Sequence, residues 1–165
     1  MGNIIIGIDN GVSGAIACIT EKTVDVNPMP IFFVKKKKGK KRVYDVQEIV
    51  RVLKKAKATH VFIEEARSMP KQGVVSTFNT GRGYGLIEGI VAALEYPYTI
   101  VVPRVWQKIL LNGVGGDTKS ASVIVAKRLF PKVSLLATKR CRKENDGLSD
   151  ALLIAEYGRR QLQEV

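Results

Sequence analysis

The run Asn3-Ile4-Ile5-Ile6-Gly7-Ile8-Asp9-Asn10-Gly11-Val12-Ser13-Gly14-Ala15 restricts the fold of this chain more than any other stretch. Isoleucine is stiff at χ1 and packs well on a pleated surface, so a run this β-branched predicts a buried strand. One acid, Asp9, follows the isoleucines, and a glycine-rich turn then feeds a second apolar run from Ala15 to Ile19. Burying a lone carboxylate is costly unless it is paired, hydrogen-bonded or bound to a cation. Asp9 therefore either begins an exposed turn, for which Asp-Asn-Gly is good chemistry, or faces something positive. Other acids have to decide between the two.

The chain continues as an antiparallel meander. Gly14 to Thr20 and Thr23 to Val26 read as two strands joined by Glu21-Lys22, and Asn27-Pro28-Met29-Pro30 ends them because proline donates no ladder hydrogen bond. Ile31-Phe32-Phe33-Val34 then meets Lys35, Lys36, Lys37, Lys38, Gly39, Lys40, Lys41 and Arg42, seven positive charges around one glycine. Such a run is expected to be a mobile loop that phosphates neutralise, that stays solvated, or that addresses a protein to the nucleus. The charge extends to the whole chain: 27 Lys+Arg against 15 Asp+Glu give a net +12 in 165 residues, which points to a polyanion partner, nucleic acid before an anionic membrane surface.

Asp45-Val46-Gln47-Glu48 is an N-cap with an acid three residues on, and Val46, Ile49, Val50, Leu53 and Ala56 keep helical spacing. Thr59 to Glu65 is a short buried strand ending in two acids. A helix between two such strands brings the second alongside the first in parallel by a right-handed crossover, so their ends cluster. Alternation puts Glu64 and Glu65 on opposite faces, and Glu64 is the one expected to point toward Asp9. Ala66 to Thr77, with Arg67 and Lys71, reads as a flexible basic loop. Phe78 to Leu94 reads as a helix in which Gly81, Gly85 and Gly89 form one stripe beside Leu86, Ile90 and Ala93. A stripe of small residues admits another backbone, either the chain's own sheet or a second copy of the helix. Tyr98 to Val102 is a further strand stopped by Pro103. Val105 to Leu111 is a brief helix, and Thr118 caps a helix from Lys119 to Phe130 whose Ala121, Ile124, Val125 and Leu129 face the core. Lys132, Lys139, Arg140, Arg142 and Lys143 form a second basic loop.

The last helix, from Glu144 to Tyr157, decides the matter of Asp9. Asp146 and Asp150 are four apart, on one helical face. The helix dipole explains Asp146, but Asp150 shares its stripe with Leu153, Ile154 and Tyr157, which is the buried side. Two acids at adjacent strand ends under two on a helix make a carboxylate cluster in a basic protein. Like charges gathered this way call for divalent cations, and an all-oxygen donor set without His or Cys suits Mg²⁺ or Mn²⁺. Two such ions about 3.5–4 Å apart are a common device for phosphodiester hydrolysis. His60 is the only histidine, and Cys18 and Cys141 lack metal or redox spacing. The composition, 45% hydrophobic, is that of one globular domain, 1–165. No segment approaches the roughly 20 apolar residues of a membrane span, and an intracellular, cytoplasmic protein is expected.

Gly7-Ile8-Asp9-Asn10-Gly11, Ile63-Glu64-Glu65-Ala66 and Ser149-Asp150-Ala151-Leu152-Leu153-Ile154-Ala155, in this order and at these separations, resemble the RuvC family of Holliday junction resolvases. Gly81-Arg82-Gly83-Tyr84-Gly85, Val105-Trp106-Gln107-Lys108 and Lys119-Ser120 resemble its phage-type branch, so the similarity covers nearly the whole chain. The resemblance implies an RNase H-like α/β fold: a five-stranded mixed sheet, three strands in an antiparallel meander and the rest parallel, flanked by helices. It implies a homodimer joined through the Phe78–Leu94 helix. Such a dimer would nick symmetric strands of a four-way DNA junction, leaving 5′-phosphate and 3′-hydroxyl ends. It further implies that Asp9, Glu64 and Asp150 bind two Mg²⁺ per site, replaceable by Mn²⁺, with Lys108 and Lys119 near the scissile phosphate. Two positions depart from the family. The fourth ligand of many members falls here on Gly147, for which Asp146 is the substitute, and an aromatic residue that stacks at the junction centre is replaced by Arg67.

Three other readings stay in view. Sugar kinases and actin-like ATPases share the Gly-Ile-Asp-x-Gly strand, but need a second such domain and an adenosine-binding segment. A nuclease of the same fold for flaps, other branched DNA or RNA–DNA hybrids would carry the same acids and basic loops. A non-catalytic junction-binding protein on a decayed nuclease fold would have no reason to keep several acids together.

Overall fold

A computed structural model describes residues 2–68 and 70–163 of this chain. β1 (Ile5–Asp9) pairs antiparallel with β2 (Ala15–Ile19), which pairs antiparallel with β3 (Val24–Pro28), giving the expected meander. Pro28 remains within β3, opposite Ala15, because β3 is the sheet edge and its missing N–H faces no partner strand. The chain then forms a hairpin that the charge pattern did not predict: β4 (Ile31–Lys35) and β5 (Lys40–Tyr44). The lysine run is not a free loop. Lys36 N–H donates to Gly39 O at 3.0 Å across the turn, and Gly39 takes φ +81°, a conformation open to glycine. Lys35 sits opposite Lys40, an unfavourable pair, so the arm depends on its base, where Ile31 and Tyr44 pair and both pack on the core.

α1 (Val46–Ala56) starts at the expected cap, Glu48 N–H donating to Asp45 Oδ1 at 3.0 Å. Its Ile49 and Leu53 are wholly buried, each contributing about 1.5–3 kcal/mol. β6 (His60–Glu64) lies parallel to β1, with Ile8 beside Ile63. α2 (Val74–Ala93) begins four residues before the expected Phe78, with Gly73 as a cap that supplies no side-chain acceptor, which is why no capping signal marked the start. Its buried residues are Gly83, Ile87, Ile90 and Val91; of the expected apolar stripe only Ile90 is buried, and Ala93 is exposed. A Cβ at Gly81, Gly85 or Gly89 would meet nothing within 4 Å, so the stripe does not receive the chain's own sheet.

β7 (Tyr98–Val101) adds to β6 in parallel and completes the sheet order β3-β2-β1-β6-β7. α3 (Pro103–Leu110) starts on the proline expected to act only as a stop, since Pro at the first helical position costs no hydrogen bond. α4 (Thr118–Leu129) is capped by Asp117 and not by Thr118: Ser120 N–H donates to Asp117 Oδ1 at 3.0 Å. Ile124, expected in the core, is 52% exposed, while Ser122 is fully buried in its stead. α5 (Asp146–Gln163) is buried almost all round because it lies between the sheet and the other helices.

Strand alternation sorts the core into two layers. Ile6, Ile8, Val61 and Ile63 face α1 and α2, whereas Ile5 and Phe62 face α5 with Trp106 and Val125. Gly7 lies on the α5 side, where an added Cβ would come within 2.3 Å of Ala155 N and 2.4 Å of Ala151 O. Helix α5 thus rests directly on the backbone of β1. The same parity turns Asp9 and Glu64 toward α5. Among the described residues, no helix is long and apolar enough to cross a membrane.

Candidate active site

The parallel register of β1 and β6 sets Asp9 and Glu64 side by side where the strands end, and Asp150 and Asp146 descend on them from the first turns of α5. Each is fixed by its own neighbours. Asp9 Oδ1 accepts the Gly11 N–H at 3.1 Å, and Glu64 Oε1 accepts the Trp106 indole N–H at 2.9 Å. Asp146 Oδ2 pairs with Lys119 Nζ at 2.8 Å, its side chain 41% exposed. Asp150 Oδ1 is buried and has no hydrogen-bond donor. Ser122 approaches Asp150 closely enough to favour its charged form, yet the Ser122 hydroxyl and Asp150 Oδ1 miss hydrogen-bonding geometry and both stay unsatisfied.

Burial is the first cause raising the pKa of Glu64, followed by the charge of Asp9; Trp106 opposes them, Asp150 adds a little, and the group reaches about 7. Asp150 also reaches about 7, through burial first, with Asp9 and Asp146 adding to it against Ser122 and Lys119. Burial raises Asp9 too, against the Gly11 N–H. Asp146 moves the other way because the Lys119 ammonium bonds to it, and Lys119 is raised in return. Two carboxyls poised near neutrality beside two more acids is the signature of a site built to receive positive charge.

The donor set fits divalent cations. Four carboxylates turned on one another, one with a buried oxygen lacking any donor, are hard oxygen ligands. Among the described residues no three His, Cys, Asp or Glu side chains are grouped so as to hold a metal ion as they stand. Gly147 cannot serve as the fourth ligand: a Cβ there would lie 2.4 Å from Ser13 O and 2.8 Å from the Gly14 Cα. The β1–β2 turn packs against the helix start at that point, and Asp146, one residue earlier, keeps a carboxylate at the rim.

The other nominated residues lie around this centre. Lys119 is within it, 79% exposed and paired with Asp146. Lys108 is exposed on α3 about 200° round the helix from Trp106, and no described contact joins it to the acids. Glu65 turns away and pairs with Arg67. Lys35, Lys36, Lys37, Lys38, Lys40 and Lys41 are exposed along the β4–β5 arm, whose Arg42 donates to Ser13 Oγ at 2.6 Å and so ties the arm to the turn after Asp9. Lys71 is exposed with φ +65°, and Lys139, Arg140, Arg142 and Lys143 are exposed before α5.

Four residues that sequence reasoning passed over belong to the site. Trp106 holds Glu64, and Ser122 lies against Asp150. Asn10 is 7% exposed and donates to Glu64 O at 2.5 Å; Tyr44 in turn donates to Asn10 O at 2.8 Å. No spacing rule marks these residues. The only signal was a polar residue, Asn10, directly after a buried strand.

No protein-family model matches the chain, and no curated protein matches it in sequence. Solved structures do match in fold. Thermus thermophilus RuvC in complex with a Holliday junction substrate aligns over 96% of both chains with TM-score 0.60 and 14% identity. A second Thermus thermophilus RuvC structure aligns over 96% of both chains with TM-score 0.56 and 15% identity. The yeast mitochondrial Holliday junction resolvase aligns over 98% of this chain and 81% of its own, with TM-score 0.49 and 13% identity. With sequence identity this low, what the chain shares with the two Thermus thermophilus structures is architecture: it has the RNase H-like fold of RuvC.

Proposed function

We propose that this protein is a structure-selective endonuclease that resolves four-way DNA junctions by metal-dependent phosphodiester hydrolysis, leaving 5′-phosphate and 3′-hydroxyl ends. The observation that carries the proposal is the donorless Asp150 Oδ1 buried over Asp9 and Glu64 in a chain of net charge +12. A carboxylate cluster that divalent cations can neutralise, inside a protein that polyanions attract, suits metal-assisted phosphodiester hydrolysis. The fold it shares with a protein solved on a Holliday junction substrate puts branched DNA first among the polyanions.

Asp9, Glu64 and Asp150, with Asp146 at the rim, would hold Mg²⁺, or Mn²⁺ in its place. Bound there, the two ions would supply an acidified attacking water and charge neutralisation at the leaving 3′ oxygen. The Trp106 indole N–H keeps Glu64 turned into the site, and the Gly11 N–H orients Asp9. Lys119, held at the entrance by Asp146, offers a cation to a phosphate approaching the acids, and Lys108 is the second such candidate. The open stripe of Gly81, Gly85 and Gly89 supports a homodimer through α2, because a second backbone can approach there without displacing a side chain. Paired active sites would then give paired nicks.

The test is cleavage of a labelled mobile four-way junction in Mg²⁺, beside matched linear duplex and RNA–DNA hybrid, by wild type and Asp150→Asn. Paired symmetric nicks confined to the junction, and lost in the variant while binding persists, are expected. Cleavage of the hybrid in preference to the junction would move the protein to another substrate. Tight junction binding without any cleavage would end the nuclease reading.

A further inference from the structure

A second polar feature lies on the other side of the Asp9 turn. Between the β4–β5 arm and α2 is a cleft of about 130 Å³, lined by Val12, Lys41, Arg42, Tyr44, Asn79 and Arg82. Three cations and no acid line it, and among the described residues no carboxylate pairs with any of the three. Arg42 spends one guanidinium donor on Ser13 Oγ and keeps the rest of its fork. Self-repulsion of this kind is relieved by an anion. The volume is well below the roughly 300 Å³ at which pockets for drug-sized ligands begin, which favours a single phosphate over a nucleoside. Tyr44, one wall, feels the charge of Asp9 and donates to Asn10 O at 2.8 Å, so the cleft lies near the turn after Asp9 and not at the far tip of the arm.

From these observations we infer that the cleft is a separate phosphate-binding subsite, in which Arg82, Lys41 and Arg42 hold a DNA backbone phosphate flanking the scissile one. The inference takes its substrate class from the nuclease reading. Arg82 is its new element: it stands on α2, outside both basic loops, and faces the arm across the cleft. Planar guanidinium forks bind phosphate bidentately, which gives position as well as affinity. Position matters here because the arm is linked to the acids. Arg42 donates to Ser13, Tyr44 to Asn10 O, and Asn10 to Glu64 O. A phosphate seated between arm and helix would therefore brace the β1–β2 turn that carries Asp9.

The experiment measures binding, so it stands apart from cleavage. A four-way junction is prepared with single neutral methylphosphonates placed one at a time along the cut strand, and bound by Asp150→Asn with Arg82, with Arg82→Gln, or with Lys36→Gln as the same charge change at the hairpin tip. With Arg82 present, one methylphosphonate beside the cut should weaken binding about 10-fold, the range of a lost charge-assisted hydrogen bond. With Arg82→Gln that position should become insensitive while all others keep their effects, and Lys36→Gln should leave the pattern alone. Additive losses at every position, or equal behaviour of the Arg82 and Lys36 variants, overturn the subsite. Arg82→Lys, which keeps the charge and loses the fork, serves if the Gln variant misfolds: sensitivity at that position should fall partway, and an unaltered pattern overturns the bidentate role. If the wild type cuts no substrate but the coupling is seen, the nuclease reading fails and the subsite stands. If it cuts and the losses are additive, the subsite alone fails.

Discussion

Asp150→Asn should make the metal-free protein more stable at pH 8 and change it far less at pH 4.5. The Asp150 carboxyl ionises at about 7 in the fold and at 3.8 when unperturbed. Between those values the folded state holds a proton that the unfolded state has released, so stability is greatest at low pH and falls as pH rises through about 7. About three pH units at ~1.4 kcal/mol each set a ceiling of ~4 kcal/mol for ionising this one group in the fold. Asp9 and Asp146 share in that cost, so the variant should recover about 1–3 kcal/mol, or about 3–10 °C in melting temperature for a chain of this size. The assay is thermal unfolding of both proteins in EDTA from pH 4.5 to 8.5. The two curves of melting temperature against pH should draw apart from about pH 4 to 7 and run parallel above, the wild type declining more steeply, since Glu64 and Asp9 make both proteins decline. Mg²⁺ at pH 8 should then restore the wild type more than the variant, because it stabilises whatever binds it in the folded state alone. A constant difference between the proteins across the whole range would refute the reasoning, since it would mean that Asp150 is not held above the ordinary carboxylate range.

Trp106→Phe removes the indole donor from Glu64 and should cost about 1–2 kcal/mol at pH 8, with the alkaline shift of Glu64 visible as a move of the pH–rate profile to higher pH; an unmoved profile would deny Trp106 its hold on the carboxylate. Gly147→Ala places a Cβ against backbone atoms of the β1–β2 turn and should lower stability by about 1–3 kcal/mol in chemical denaturation, and a neutral result would show that the turn can withdraw. Gly85→Ala and Gly89→Ala meet open space, so each should raise the stability of a monomer by about 0.5–1 kcal/mol. Gly89→Leu should instead convert a dimer into monomers in sedimentation velocity, and a dimer that tolerates leucine there is joined elsewhere.

The acids were legible because strand and helix periods place them. Asp9 and Glu64 fall on the same parity of two strands that a crossover makes parallel, and Asp146 and Asp150 are one helical turn apart; counting suffices to bring them together. The arm was not legible for the opposite reason. Its charges argue against order, and what orders it is the packing of Ile31 and Tyr44 at its base together with Arg42 on Ser13, which join residues distant in sequence. The early start of α2 escaped notice because Gly73 is a weak cap and Val74 and Val75 are exposed, so neither capping chemistry nor periodicity marked the turn. Ser122 was missed because its neighbour Ile124 is apolar and draws the eye to the wrong face of α4, which turns the hydroxyl in and the isoleucine out.

The seat of α5 on Gly7 has a consequence for how freely this sequence can change. Ala151 O and Ala155 N stand where a Cβ at residue 7 would be, so the spacing between helix and strand is fixed by main chain against main chain. The surrounding isoleucines, leucines and valines can be exchanged for one another without altering how far Asp150 stands from Asp9. A lineage could replace much of its interior and keep the same nest of carboxylates, provided residue 7 gains no side chain and Gly147 likewise stays bare against the β1–β2 turn, and a designer could redraw the core under the same restrictions.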